Sequence, residues 1–266
     1  MTRRVRYLIT ATALLCATTV FAGTYGKIEK YSKEFRLDAD GTLWIDNPIG
    51  NVEVIGTDTA GVSLYAQKML TGVDQDALRD AREQTQLTMT GTPKTLIIRT
   101  LLPPVRTSRW GSFVTYSLKV PSTVKVKIDS QMSDHIRVVN TSGGVTVKNV
   151  NGAIMLENVT GPILADSVNG SLSYDPNGRP ASNVQLSSVN GRIEVAVSPD
   201  ASFQWVGQTI RGDFRTNLPV AGRFNGTTFR GGVNSAHGPT VTTSTMMGDV
   251  FVVKKGTNIA QTQSVR

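Results

Sequence analysis

A nine-residue period, with each unit headed by glycine, constrains this chain more than any other feature of its sequence. Aligned on that glycine, the segments read SGGVTVKNV from residue 142, NGAIMLENV from 151, TGPILADSV from 160 and NGSLSY from 169. Within each unit apolar residues alternate with polar ones: Val145 and Val147, Ile154 and Leu156, Ile163 and Ala165, Leu172 and Tyr174. Alternation at period two after an Asn-Gly or Thr-Gly pair reads as a strand following a turn. Val-Asn-Gly triplets at 150–152 and 168–170 are 18 residues apart, and the next, at 189–191, follows 21 later, with the insertion DPNGRPASN at 175–183 in between. Gly212 lies another 21 residues on, and Gly248 continues the series less regularly. A unit this short cannot close a core alone, whereas stacked units bury a continuous one. The expected fold is therefore all-β, a single-stranded β-solenoid (parallel β-helix-like) with about 18–21 residues per coil. Asn151, Asn169 and Asn190 should stack at one corner, with Gly152, Gly170 and Gly191 supplying positive φ there.

The amino terminus reads as an export signal. Residues 1–22 carry Arg3, Arg4 and Arg6, then an apolar run from Tyr7 to Val20, with Val20 and Ala22 at the positions that precede cleavage. Three of the eight net positive charges and the only cysteine, Cys16, lie in this leader. The apolar run is short for a membrane span, and no stretch of 18 apolar residues occurs elsewhere. A mature chain beginning at Gly23 would hold no cysteine, so its stability would come from packing and backbone pairing, which suits the periplasm, the cell surface or secretion.

Residues 23–121 read as an N-terminal β section that caps the repeats. LWIDNPIGNVEVIGTD (43–58), VSLYAQKM (62–69), TLIIRTLL (95–102) and FVTYSLKVP (113–121) have strand character. One short helix is predicted near 74–87, with Asp74 as N-cap and Ala77, Leu78, Ala81 and Thr85 on one face. The repeats then occupy 122–253, and the polar stretch 254–266 reads as a flexible tail.

The order of these features resembles a known family. An exported leader precedes Gly-Asn-Val-Glu-Val at 50–54, an Ala-Gln-Lys strand and an acidic helix, then Tyr-Ser-Leu-Lys-Val-Pro at 116–121 and repeated Asn-Gly-x-Ile units. This is similar to the bacterial putative-adhesin domain family of unknown function, repetitive β-solenoid proteins of the cell envelope. The resemblance covers roughly residues 40–253 and implies the fold more than a role. It implies no catalytic or cofactor-binding residues.

Catalytic arrangements fit the sequence poorly. Asp134 and His135 with Ser130 or Ser133 have the residue types of a nucleophile relay, but adjacent strand residues point to opposite faces. Glu157, Asp166, Asp175, Glu194 and Asp213 scatter over different faces and corners of the expected coils. Arg211-Gly212-Asp213 spells an integrin-binding tripeptide, yet Gly248-Asp249 repeats the pair at an equivalent turn, so the turn explains it. The repeats lack the Gly-x-Asp pattern of calcium-binding β-rolls.

The best local binding candidate is the loop carrying Arg106 and Arg109 beside Trp110, because two guanidinium groups with an aromatic ring suit an anionic ligand. Packing of Trp110 beneath the cap, with solvated arginines, is the competing expectation. Arg211, Arg215, Arg223 and Arg230 make the carboxy-terminal part basic, and no nucleic-acid motif is present. The function expected is that of a non-enzymatic, exported envelope protein without cofactor or metal. Its partner would be an envelope protein or an anionic polysaccharide. A carbohydrate-active enzyme on the same scaffold and a self-stacking structural module are the alternatives.

Overall fold

The computed structural model describes residues 18–21, 24–103, 108–235, 237–258 and 262–265. The first 17 residues, which hold most of the expected leader, lie outside the described residues. The chain is all-β: among the described residues one helix accompanies strands that hydrogen-bond into a large open sheet. It divides into two compact units, Met1–Ser133 and Asp134–Arg266.

In the first unit the strands are β1 (Thr18–Phe21), β2 (Thr24–Phe35), β3 (Thr42–Ile49), β4 (Val52–Thr57) and β5 (Val62–Gly72). Helix α1 (Gln75–Gln84) follows, then β6 (Gln86–Thr92), β7 (Thr95–Leu101), β8 (Trp110–Pro121) and β9 (Lys125–Thr141), within which the unit boundary falls. β3 lies parallel between β7 and β9, so Leu43 stands opposite Leu96 and Val126, and Ile45 opposite Ile98 and Ile128. All six are buried, as alternation at period two requires of one face. β6 pairs antiparallel with β7, β4 pairs parallel with β8, and β8 continues antiparallel through β5 and β2 to β1. Two strands, β2 and β6, escape the apolar-alternation reading because few of their side chains are buried.

The helix is shorter than the expected 74–87, because Thr85, expected on its face, is its C-cap and Gln86 begins β6. Asp74 caps it, its carboxylate accepting from the Ala77 amide at 2.7 Å, and Ala77, Leu78 and Ala81 make its buried face. Leu70 of β5 joins Leu78 and Ala81 in one cluster, and Trp110 packs against it. Its last turn meets Lys68 of β5, a lysine only 4% exposed. The Lys68 ammonium donates to the carbonyls of Thr85 (3.2 Å) and Arg82 (3.4 Å), filling acceptors that a helix end leaves open. Glu29 on β2 balances this charge at 2.9 Å and also meets Arg82 at 2.7 Å.

The second unit contains two parallel ladders. After β10 (Val145–Val159) come β11 (Ile163–Asn169), β12 (Leu172–Asp175), β13 (Val184–Asn190), β14 (Ile193–Val197), β15 (Phe203–Arg211) and β16 (Phe214–Thr216). β17 (Val220–Asn225), β18 (Thr228–Val233), β19 (Thr240–Met247), β20 (Val250–Lys254) and β21 (Gln263–Ser264) complete it. The first ladder runs β10–β11–β13–β19–β15, placing Val145, Ile163, Val184, Val241 and Trp205 in one buried row. The second runs β10–β12–β14–β20–β16, with Ile154, Leu172, Ile193, Val250 and Phe214 in another. Of the expected insertion, 175–183, Asp175 ends β12 and residues 176–183 form the loop to β13.

The order of the strands corrects one expectation. Asn190 pairs with Met247, which in turn pairs with Arg211, so the last long strands, β19 and β20, lie between strands that precede them in sequence. The cause is the hairpin of β17 and β18. β18 pairs antiparallel with β15, ring contacts of 4.8 Å join Trp205 to Phe229, and β17 closes on β18. With that side of β15 taken, only its other side remains for a parallel neighbour. At the end of the second ladder β21 pairs antiparallel with β16.

Candidate functional site

The turns between the two ladders bring six of the predicted residues together. Asn169 donates its side-chain amide to Asn151 at 3.0 Å, and Asn190 donates to Asn169 at 2.8 Å. Gly152, Gly170 and Gly191 follow, but only Gly152 of the three has positive φ, at 111°. The expectation that each glycine serves a left-handed turn therefore needs correction. Gly170 and Gly191 are required by close stacking: a Cβ on Gly170 would land on the carbonyl oxygen of Gly152, and one on Gly191 on that of Gly170. Gly248 and Gly212 continue this column in the ladder's spatial order.

A second column, which the sequence reading missed, lies three residues before these glycines and points inward. Asn149 donates to the Gly152 carbonyl at 3.1 Å, Ser188 to Gly170 at 3.0 Å, Thr245 to Gly191 at 3.1 Å and Thr209 to Gly248 at 3.0 Å. Each of these four donors is buried, so each donation gives a side chain withdrawn from water a backbone acceptor. The first unit has the same motif at Asn47, whose amide donates to Gly50 (3.1 Å) and Val114 (2.9 Å). The signal was legible as Asn, Ser or Thr followed three residues later by Gly, at 47, 149, 167, 188, 209 and 245, although the Ser167 hydroxyl is buried without a partner.

The candidate anion-binding loop is engaged in structure at its two described residues. Arg106 lies outside the described residues. Arg109 donates at 2.8 Å to Asp74, the residue that caps α1, and Trp110 packs on the helix cluster. The Ala77 amide first, and then Arg109, hold the Asp74 carboxyl below its ordinary range. The tripeptide at 211–213 is a turn: Gly212 stacks beside Gly248, and the Asp213 amide donates to Asp249 at 2.9 Å. Four of the acids weighed as catalytic face cations, Glu157 with Arg137 (2.7 Å), Asp175 with Lys255 (2.8 Å), Glu194 with Arg192 (3.6 Å) and Asp213 with Arg215 (3.3 Å). Asp166 stands opposite Lys148 on adjacent strands. Asp134 and His135 are neighbours in β9.

Two outward groupings were not legible as such. On the face of β7–β3–β9, Trp44 donates its indole N–H to Asp129 at 2.8 Å. Lys127 and Arg99 approach its ring at 4.1 and 4.7 Å. Burial pushes the nearby Asp46 carboxyl up, against the pull of Arg99. These partners lie 53 to 85 residues apart and meet only through the parallel register. In the second unit, Ile210, Met246 and Met247 are exposed at 56%, 49% and 50%, forming an apolar border beside the turns of β15 and β19.

No protein-family model matches the chain, and no curated protein does. Among solved structures, it is similar to one described as a putative cell adhesion protein from Clostridium sporogenes, at 10% identity and a TM-score of 0.48, covering 86% of this chain and all of that one. It is also similar to a putative adhesin from Bacteroides fragilis, at 9% identity and a TM-score of 0.39, covering 84% of this chain and 96% of the other.

Proposed function

We propose that the chain is an exported, non-enzymatic protein of the bacterial cell envelope, an adhesin-like β-solenoid whose flat outer faces present a fixed side-chain surface to a partner. The observation that carries this reading is the register of the two ladders. Each joins five strands, and offsets of 18 and 21 residues relate their first three, so outward side chains fall into straight rows held by backbone pairing. Such rows suit recognition of an extended partner, because their spacing of about 4.8 Å is set by the sheet itself. Engagement of Glu157, Asp175, Glu194 and Asp213 with cations favours recognition over acid–base chemistry at those positions. The antiparallel cover on β15 and β16 favours a molecule that binds along its faces over one that stacks end to end.

Fractionation of cells expressing the full chain with a carboxy-terminal tag tests this. A product shortened by the leader, found outside the cytoplasm and retained on washed envelope fragments, is the expected result. Full-length protein confined to the cytoplasm would overturn the reading.

A further inference from the structure

From Phe214 to Gly248 the chain contains no aspartate or glutamate, yet it carries Arg215, Arg223 and Arg230. Arg215 is occupied by Asp213 and Asp249. The other two stand directly opposite each other on β17 and β18, and both are exposed. Side chains directly opposite on antiparallel strands have Cβ atoms about 5 Å apart, and like charges there repel. Nothing else on these strands compensates, because β17, β18, β15, β19 and β13 carry no acid on either face.

The surroundings of the pair are as specific as the pair. Arg230 is opposite Val206 of β15, and Val206 is opposite Thr242 of β19, so the two arginines end an outward row that crosses the first ladder. The next row holds Gln208 and Ser244, and Gln185 continues the first row on β13. These are amide and hydroxyl groups, the complement of sugar hydroxyls. Across five strands the face extends on the order of 20 Å, at about 4.8 Å per strand. The aromatic rings of this region, Trp205, Phe224 and Phe229, alternate with the outward residues and belong to the opposite side, where Trp205 and Phe229 are buried. No stacking platform for nucleic-acid bases is therefore offered. The outer side of the second ladder differs, since Glu194 with Arg192 and Asp213 and Asp249 with Arg215 balance its charges locally.

We infer that this acid-free face binds an anionic polysaccharide. Arg223 and Arg230 grip a carboxylate or phosphate of the glycan, and the Gln, Thr and Ser rows receive its hydroxyls. The inference names the partner of the surface proposed above and rests on that reading. Relief of the repulsion between the two guanidiniums adds to the attraction, because a bound anion neutralises both.

The test uses the full chain and fluorescein-labelled polygalacturonate, read by fluorescence anisotropy at low ionic strength. Wild type should bind, more weakly as salt rises, and should ignore neutral dextran of equal length. Arg223→Ser with Arg230→Ser should weaken binding about tenfold or more, while Arg192→Ser, which removes another exposed cation, just before β14 of the second ladder, should not. Replacing both by lysine should restore part of the affinity, since charge returns without the forked geometry. Unchanged binding by the double serine variant, or equal binding of single-stranded DNA of matched charge, would overturn the inference. Retention on envelope fragments separates the two claims: wild type and double variant retained equally would sink this site alone, and loss of both would sink the envelope reading.

Discussion

Lys68 in the first unit and Ser188 in the second both bury a polar group in order to satisfy backbone carbonyls, and they do so at opposite extremes of scale. Lys68 is a long cation that requires Glu29, Tyr31, Arg82 and the end of a helix to be acceptable away from water. Ser188 requires only the carbonyl of Gly170, and Thr245 and Thr209 repeat the arrangement, whereas the Ser167 hydroxyl on the other neighbouring strand is buried without a partner. The first solution concentrates stability in a few partners far apart in sequence. The second spreads it over a column in which each member depends on its neighbours.

That contrast is tested most severely at Gly191. An alanine there drives a methyl group into the Gly170 carbonyl, a backbone atom that moves only with its strand. A loss on the order of 3 kcal/mol or more is expected, measured by thermal or denaturant unfolding. A change within error would mean that the column is not tightly stacked. Lys68→Met should cost about 3 kcal/mol, the lower end for breaking a buried pair, because Arg82 still faces Glu29.

Acid should expose the same concentration of charge. Burial pushes the Glu29 carboxyl up, but Tyr31, Lys68 and Arg82 outweigh it and leave it below its ordinary value. Its contribution is then complete above the unfolded carboxyl's pKa and is lost as pH falls through the lower folded value. Wild type should lose stability across that acidic window, whereas Glu29→Gln should show a flatter profile. Equal slopes in the two proteins would remove Glu29 from the account.

Smaller effects are expected on the repeated side. Ser188→Ala should cost about 1–2 kcal/mol by leaving the Gly170 carbonyl short of a donor. Asn169→Ala breaks two amide contacts at an exposed position and should cost roughly 0.5–1 kcal/mol. If Asn169→Ala proved the costlier of the two, the outer amide column rather than the inner one would carry the turns.

The pairing of neighbouring strands was legible because offsets of 18 and 21 residues put glycine beside glycine, and the structure pairs Asn151, Asn169 and Asn190 accordingly. The position of β19 was not legible, for a physical reason. Gly212 and Gly248 both fit beside Gly191 by local pattern, and only the antiparallel grip of β18 on β15 decides between them. In the same way Arg109 and Trp110 left a binding loop and packing beneath the cap both open in sequence, because nothing nearby announced that Asp74, 35 residues earlier, would claim the guanidinium. Arg223 and Arg230 were visible as charge, but their direct opposition depends on the register of a hairpin that lacks clear apolar alternation on β17.

The placement of β19 and β20 also separates the order of synthesis from the order of assembly. A nascent chain that has emerged only as far as Gly238 already contains β13 and β15, with Gly191 and Gly212 matched for direct pairing, and must not commit to it. Native structure needs a gap kept open, or reopened, for the strands made last. Folding that is held off until the whole chain is available would spare this molecule that trap.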